Sequence, residues 1–378
     1  MSAEPLLDIR RDVPLAELTT LETGGPARFF LPVHDESTLA AGVAWARERG
    51  VPLYFLGGGS NVLIPDAGLD GLVIKIATRG IWEEKPLDPA APGAAPNPMG
   101  GPTPDPTTVV RAAAGETWDD LVKYTVDAGL AGLECLSGIP GTVGAAPVQN
   151  IGAYGQEAAD SLLSVRVMDL RSLRPLEFTR AECEFGYRES RFRRHRGEHA
   201  VLEVRFRLAR DGAPTVAYPD LARELADSPL TLAHTRDAVM RVRRRKSMVL
   251  DPTDENRRSV GSFFTNPTVS AQAAQELAAA VGKPGLARPD EIPMYPDGLG
   301  RAKLSAAWLI EHAGIERGYR AGRVGVSTRH ALALVNLGGA TTADVLDLAA
   351  HVRRAVLDTF GVDLTIEPVC LGFTPPWQ

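Results

Sequence analysis

Leu133-Glu-Cys-Leu-Ser-Gly-Ile-Pro-Gly-Thr-Val-Gly-Ala-Ala-Pro-Val-Gln-Asn-Ile-Gly-Ala-Tyr-Gly-Gln-Glu157 is the stretch around which the chain is organised. Pro140 and Pro147 each fix a backbone angle and remove an N–H donor. With glycines at 138, 141, 144, 152 and 155, the run suits neither a long helix nor a long strand. Ile139, Val143, Val148 and Ile151 make it too apolar for a solvated loop. Backbone without Cβ atoms comes close to another object. That object is either a cofactor diphosphate, held by exposed N–H groups, or the packed backbone of a turn between domains.

Around this stretch the chain reads as alternating strands and helices. Gly24-Gly-Pro26 turns into a short apolar strand. A helix follows from Ser37 to Arg49, with Asp35 or Ser37 as N-cap and Gly50 as its stop. Strand Leu53–Leu56 leads into Gly57-Gly-Gly-Ser-Asn61, then Val62–Ile64 and a strand at Leu72–Ile76. The dinucleotide fingerprint needs glycine at the sixth position and a helix after it. Val62 and an extended segment stand there instead, so the turn is either a phosphate-binding turn of another kind or a plain β-turn. Eight prolines crowd residues 86–106, too little apolar surface to offset ordering entropy, and 83–106 is expected to be a disordered insertion.

Order resumes with strand Thr108–Ala114 and helix Trp118–Ala128, where Thr117 and Asp120 have capping-box spacing. Strands are expected at Leu163–Leu170 and Ala200–Leu208, the second alternating Leu202, Val204, Phe206 and Leu208 with charged residues. His195-Arg-Gly-Glu-His199 matches an inverted zinc-peptidase pattern. Gly197 and the following strand argue against the helix that pattern needs, so it is read as a loop and no metal is expected. A helix starting near Thr235 carries Arg241, Arg243, Arg244, Arg245 and Lys246. It is either a solvated basic face or a site for a phosphorylated ligand, since residues three apart such as Arg243 and Lys246 share a face. Helices at Ser270–Val281, Leu304–Ala313 and Thr342–Phe360 and a strand at Ala331–Val335 complete the pattern. Glu367 is the one acid in the apolar tail, an edge residue if exposed and a catalytic candidate if buried.

The 378 residues are 44% hydrophobic with a formal charge of −6. That is enough for two or three domains and gives no reason to expect nucleic acid or an anionic membrane as partner. Three widely spaced cysteines form no disulfide framework, which points to a reducing cytoplasm. No apolar run reaches membrane-spanning length, and no secretory leader pattern is present.

Six motifs occur in the order found in UDP-N-acetylenolpyruvoylglucosamine reductases, which the chain resembles from about Leu18 to Phe373 except for the insertion at 83–106. They are Gly57-Gly-Gly-Ser-Asn61, Ile139-Pro-Gly-Thr-Val-Gly144, Gln149-Asn-Ile-Gly-Ala-Tyr-Gly155, Phe185-Gly-Tyr-Arg-Glu-Ser190, Gly261-Ser-Phe-Phe-Thr-Asn-Pro267 and Ile366-Glu-Pro368. The resemblance implies an α/β (α+β) fold, with a two-lobed FAD-binding domain of the vanillyl-alcohol-oxidase/PCMH type and a C-terminal α/β substrate domain. The implied divisions are lobe 1 at 1–80, lobe 2 at 107–246, the substrate domain at 247–361 and a terminal strand at 362–378.

The resemblance also implies roles. FAD would lie on Gly57, Gly58, Gly59, Ser60, Asn61, Gly138, Ile139, Pro140, Gly141, Gly144, Gly152, Ala153 and Tyr154. NADPH would reduce it, and hydride would pass to the enolpyruvyl group of a UDP-sugar. Arg188 would steady the developing charge, Glu367 would assist Arg188 or polarise the enol, and Ser262 would donate the proton. Tyr187, Tyr218, Arg243, Lys246, Asn266 and Tyr295 would hold substrate or NADPH, with Tyr218 closing over the substrate. The enzyme would be a cytoplasmic monomer serving peptidoglycan synthesis. Ala145-Ala146 and Thr328-Arg-His330 depart from the family pattern. The rival readings are an oxidase on the same flavin scaffold and a non-catalytic nucleotide-sugar binder.

Overall fold

The computed structural model describes residues 7–84, 107–281, 292–296 and 300–377. The chain divides into two compact units. One comprises Met1–Ile9, Leu31–Gly58 and Val73–Arg244; the other comprises Arg10–Phe30, Gly59–Leu72 and Arg245–Gln378.

The first unit is built on an antiparallel sheet ordered Arg174–Thr179, Leu162–Asp169, His199–Arg210, Thr107–Ala113 and Ile81–Glu84. The alternation in its central strand decides which face is covered: Ala200, Leu202, Val204, Phe206 and Leu208 are buried. Helix Trp118–Asp127 lays Trp118, Leu121, Val122 and Val126 into the same core, and Trp118 meets the Phe206 ring edge-on at 5.8 Å. The other face carries cross-strand ion pairs, with Arg205 bonded to both carboxylate oxygens of Glu84 at 2.9 and 2.6 Å. Glu83 and Glu84 close the strand Ile81–Glu84; the rest of the proline-rich stretch lies outside the described residues.

In the second unit, helix Thr342–Phe360 buries Val345, Leu348, Val352 and Val356 on one stripe. Each such side chain contributes about 1.5–3 kcal/mol. A capping box between Thr341 and Asp344 starts this helix, and Gly361 ends it at φ +67°. Two small sheets join it in the unit. One is ordered Thr268–Ser270, Arg301–Leu304, Met294–Pro296, the other Arg320–Ala321, Val324–Val326, Leu334–Asn336. Buried Asn336 explains why residues 10–30 belong to this unit: its amide nitrogen donates to the carbonyls of Leu21 (3.0 Å) and Glu22 (3.3 Å). Its amide oxygen accepts from Gly338 and Ala340. Thr342 likewise donates its hydroxyl to the Ile64 carbonyl at 2.6 Å, and its N–H goes to Asp66.

Several local expectations change. Thr117 caps no N–H with its side chain, because its backbone is bridged to Thr142 instead. The basic helix runs Leu232–Arg245, so Lys246 falls beyond its end and shares no helical face with Arg243. Leu304 ends a strand, and Ser305 caps the helix Ala306–His312. The later strand is Leu334–Asn336, since Ala331–Ala333 turn, with the Ala333 N–H on the His330 carbonyl.

Candidate active site

In the first unit Gly57 and Gly58 meet Gly141 and Thr142. A Cβ on Gly58 would stand 2.6 Å from the Cα of Gly141, and one on Gly57 would stand 2.8 Å from the Thr142 hydroxyl. Only bare backbone allows that approach. Gly141 takes φ +127° and Gly138 φ +71°. The segment between Gly141 and Gly144 is pinned from outside: Trp118 donates to the Gly141 carbonyl at 3.1 Å, Val143 to Glu116 at 2.9 Å and Gly144 to Ala114 at 2.8 Å. Turns of bare backbone with left-handed residues present N–H groups as anion donors, so this cradle fits the diphosphate of a dinucleotide cofactor.

Two charged residues that sequence reading passed over support the cradle. Lys75 donates its ammonium to the Gly57 carbonyl. Burial, with Arg79 nearby, holds its pKa below the usual lysine range. Its only sequence signal was a lone cation in the apolar run Leu72–Ile76. Asp119 accepts the Gly138 N–H at 2.6 Å and pairs with both terminal nitrogens of Arg236 at 2.7 Å. Burial pushes the Asp119 carboxyl upward, but the bonds from Arg236 and Gly138 and the charges of Arg236 and Arg243 outweigh it and leave the pKa lowered. No local pattern marks Asp119.

Arg188 sits in the same unit at φ +53°. Its guanidinium donates to the carbonyls of Asn150 (3.3 Å) and Gly152 (2.8 Å) and stacks over Tyr187 at 5.3 Å. The organiser of this corner is Asn150, buried and itself at φ +45°. Its amide nitrogen donates to Glu157 at 2.7 Å and to the Gly186 carbonyl at 3.1 Å, while its oxygen accepts the Ala159 N–H at 3.0 Å. Asn150 thus ties the Gly186–Glu189 turn, which carries Arg188, to the glycine-rich stretch. The motif Gln149–Gly155 contains Asn150, but nothing local to it signals these distant partners.

A third group joins Tyr154, Tyr218 and Arg243. The two tyrosine rings meet edge-on at 5.7 Å, and Tyr154 is hydrogen-bonded to Arg243. Arg243 is buried, not solvated; desolvation lowers its pKa and Tyr154 and Asp119 offset part of that loss.

In the second unit, Ser262 follows Gly261 (φ +74°) in a short hairpin-like contact with the tail. Glu367 donates its N–H to the Phe263 carbonyl at 2.9 Å, Phe264 bridges Ile366, and Thr265 donates to Thr365 at 3.0 Å. Buried Phe263 and Phe264 lock the run below. The tail then pairs in parallel with Val62–Leu63, and Val369 donates to the Asn61 carbonyl at 3.0 Å. Ser262, Glu367 and Asn61 therefore belong to one backbone network. Asn266 accepts the Ala306 N–H at 3.0 Å, starting a helix, and half-exposed Tyr295 lies opposite Lys303 in its sheet. At the departure Thr328-Arg-His330, Asn256 clamps Thr328, accepting its N–H at 3.0 Å and donating to its hydroxyl at 3.0 Å. Among the described residues no cluster of His, Cys, Asp or Glu suits a metal, and no helix is long and apolar enough to cross a membrane.

Residues 251–371 match the C-terminal domain of UDP-N-acetylenolpyruvoylglucosamine reductase, and residues 26–172 match an FAD binding domain. The UDP-N-acetylenolpyruvoylglucosamine reductase of Thermobifida fusca is 45% identical over 96% of this chain and 98% of its own. That of Streptomyces coelicolor is 43% identical over 98% and 91%. Among solved structures, the UDP-N-acetylenolpyruvylglucosamine reductase of Thermus caldophilus superposes with a TM-score of 0.61 at 27% identity, covering 97% of this chain and 99% of that one.

Proposed function

Because this chain belongs to the UDP-N-acetylenolpyruvoylglucosamine reductase family, we propose that Arg188, Ser262 and Glu367 carry its chemistry. The enzyme is an FAD-dependent oxidoreductase that uses NADPH to reduce UDP-N-acetylglucosamine enolpyruvate to UDP-N-acetylmuramate for peptidoglycan. The residues that would hold FAD are Gly57–Asn61, Gly138–Gly141, Gly144 and Gly152–Tyr154, chiefly through backbone N–H groups.

When bound there, FAD would supply the hydride for the enolpyruvyl methylene carbon. Arg188 binds the substrate carboxylate and stabilises the charge that develops beside it; its two carbonyl contacts restrict where the guanidinium points. Ser262 donates a proton to the neighbouring carbon, a task a weakly acidic hydroxyl performs only at close range toward a strongly basic carbon. Glu367 assists by polarising the enol. Tyr218 and Arg243 hold substrate or NADPH, with Tyr187, Lys246, Asn266 and Tyr295 contributing further polar contacts. The observation that carries this reading is the bond from the Glu367 N–H to the Phe263 carbonyl, which supports a shared site for Ser262 and Glu367. The same reading makes the enzyme a cytoplasmic monomer, checked by a light-scattering mass of one chain.

The test separates the two half-reactions. Ser262→Ala should leave bleaching of the flavin by NADPH near normal and slow its reoxidation by the enolpyruvyl substrate by orders of magnitude. Equal slowing of both, or of neither, removes Ser262 from the role. A purified protein without the yellow flavin spectrum would overturn the cofactor assignment.

A further inference from the structure

The glycine turn and the Ser262 loop are joined by a residue that no motif singles out. The N–H of Thr20 donates to the Gly59 carbonyl at 3.0 Å, while the Thr20 hydroxyl donates to the Ser259 carbonyl at 2.6 Å. The Ser259 hydroxyl in turn accepts the Gly261 N–H at 3.3 Å, one residue before Ser262. The contact is reinforced on both sides. Glu22 pairs with Arg257 at 3.6 Å and with Arg258, and a Cβ on Gly59 would stand 1.9 Å from the Leu18 carbonyl. Residues 18–22 are thus wedged between the turn and the loop.

We infer that Thr20 is a positioning residue for the reductive step: its hydroxyl spaces the Ser262 loop from the glycine turn. The inference rests on the reading of Ser262 as proton donor. Main chain alone joins Thr20 to Gly59, so side-chain changes at Thr20 leave that link in place. Only the link to Ser259 passes through the side chain. A proton donor misplaced by a fraction of an ångström toward a carbon acceptor loses rate steeply, up to about a hundredfold for a shift of 1 Å.

The test uses the full-length holoenzyme and four variants, Thr20→Val, Thr20→Ser, Ser262→Ala and the double variant of Thr20→Val with Ser262→Ala, with flavin content, each half-reaction and the melting temperature measured. Thr20→Val should keep its flavin and its reduction by NADPH, yet slow reoxidation by the enolpyruvyl substrate by about ten- to a hundredfold. Thr20→Ser should restore it. In the Ser262→Ala background Thr20→Val should add little, because both changes act on one step. Loss of flavin from Thr20→Val, or equal slowing of both half-reactions, overturns the inference, since the hydroxyl would then serve the turn or the fold. A normal reoxidation rate in Thr20→Val beside a slow one in Ser262→Ala also overturns it and leaves the Ser262 reading standing. If Ser262→Ala itself shows no split, the underlying reading falls first.

Discussion

The main-chain N–H of Glu367 rests on the carbonyl of Phe263 at 2.9 Å. The bond is made by backbone, so it does not depend on the carboxylate. Glu367→Gln should therefore keep the fold, with a melting temperature within a few degrees of the parent. Reoxidation of reduced flavin by the enolpyruvyl substrate should slow by about tenfold or more, the size expected when one preorganised polar group is lost. Stopped-flow absorbance checks this, and an unchanged rate would remove Glu367 from the chemistry.

Gly58→Ala tests the cradle. The new methyl would meet the Gly141 Cα at 2.6 Å, and backbone cannot swing aside as a long side chain can. The two turns must separate, at a cost of about 1–3 kcal/mol. The expected result is a lower melting temperature and a clear loss of bound flavin, read from the ratio of visible to ultraviolet absorbance.

Asn150→Gly keeps a residue that tolerates φ +45° but removes three hydrogen bonds. Stability should fall by about 2–4 kcal/mol, since buried partners are left unsatisfied. The KM for the enolpyruvyl substrate should rise as the Arg188 turn loosens, whereas flavin reduction by NADPH should change less. A denaturation curve and separate half-reaction rates decide it.

Asp119 sets an acid limit. Its folded-state pKa is lowered, so the carboxylate contributes stability in full above the unfolded value of about 4 and loses it as pH falls toward the folded value. Asp119→Asn should be less stable than the parent by about 2 kcal/mol at neutral pH. The gap should shrink as pH drops below about 4. Paired urea melts at pH 7 and pH 3.5 test the sign, and a gap that widens in acid would refute it.

Burial pushes the thiols of Cys135 and Cys183 up to about 12. Thiolate is the reactive form, so neither should react with iodoacetamide in the native enzyme at pH 8. Partly exposed Cys370 should be modified ahead of both. Peptide mass mapping before and after denaturation reads the outcome.

Much of the fold was legible because it follows from local periodicity. The stripe on Thr342–Phe360 and the alternation in His199–Arg210 each state which face is buried, and both were readable from residue spacing alone. The candidate site was legible in a different way, through motifs whose order identified a family. Asp119, Lys75 and Thr20 were not legible, because each acts on a residue far away in sequence. The basic run left Arg243 open between solvent and a ligand, and only tertiary packing, with Tyr154 at hand, makes it buried.

By itself the sequence determined most of the helices and strands, the glycines that only bare backbone can satisfy, and the motif order that marks the family, since all of these are properties of neighbours along the chain. Tertiary structure decided which compact unit each segment joins and what holds the candidate site residues. Residues 10–30 and 59–72 depend on Asn336 and Thr342, and the Ser262 loop depends on Thr20 and Glu367. Those are hydrogen bonds across long loops, and nothing in the local run of residues reveals which distant carbonyl will accept them.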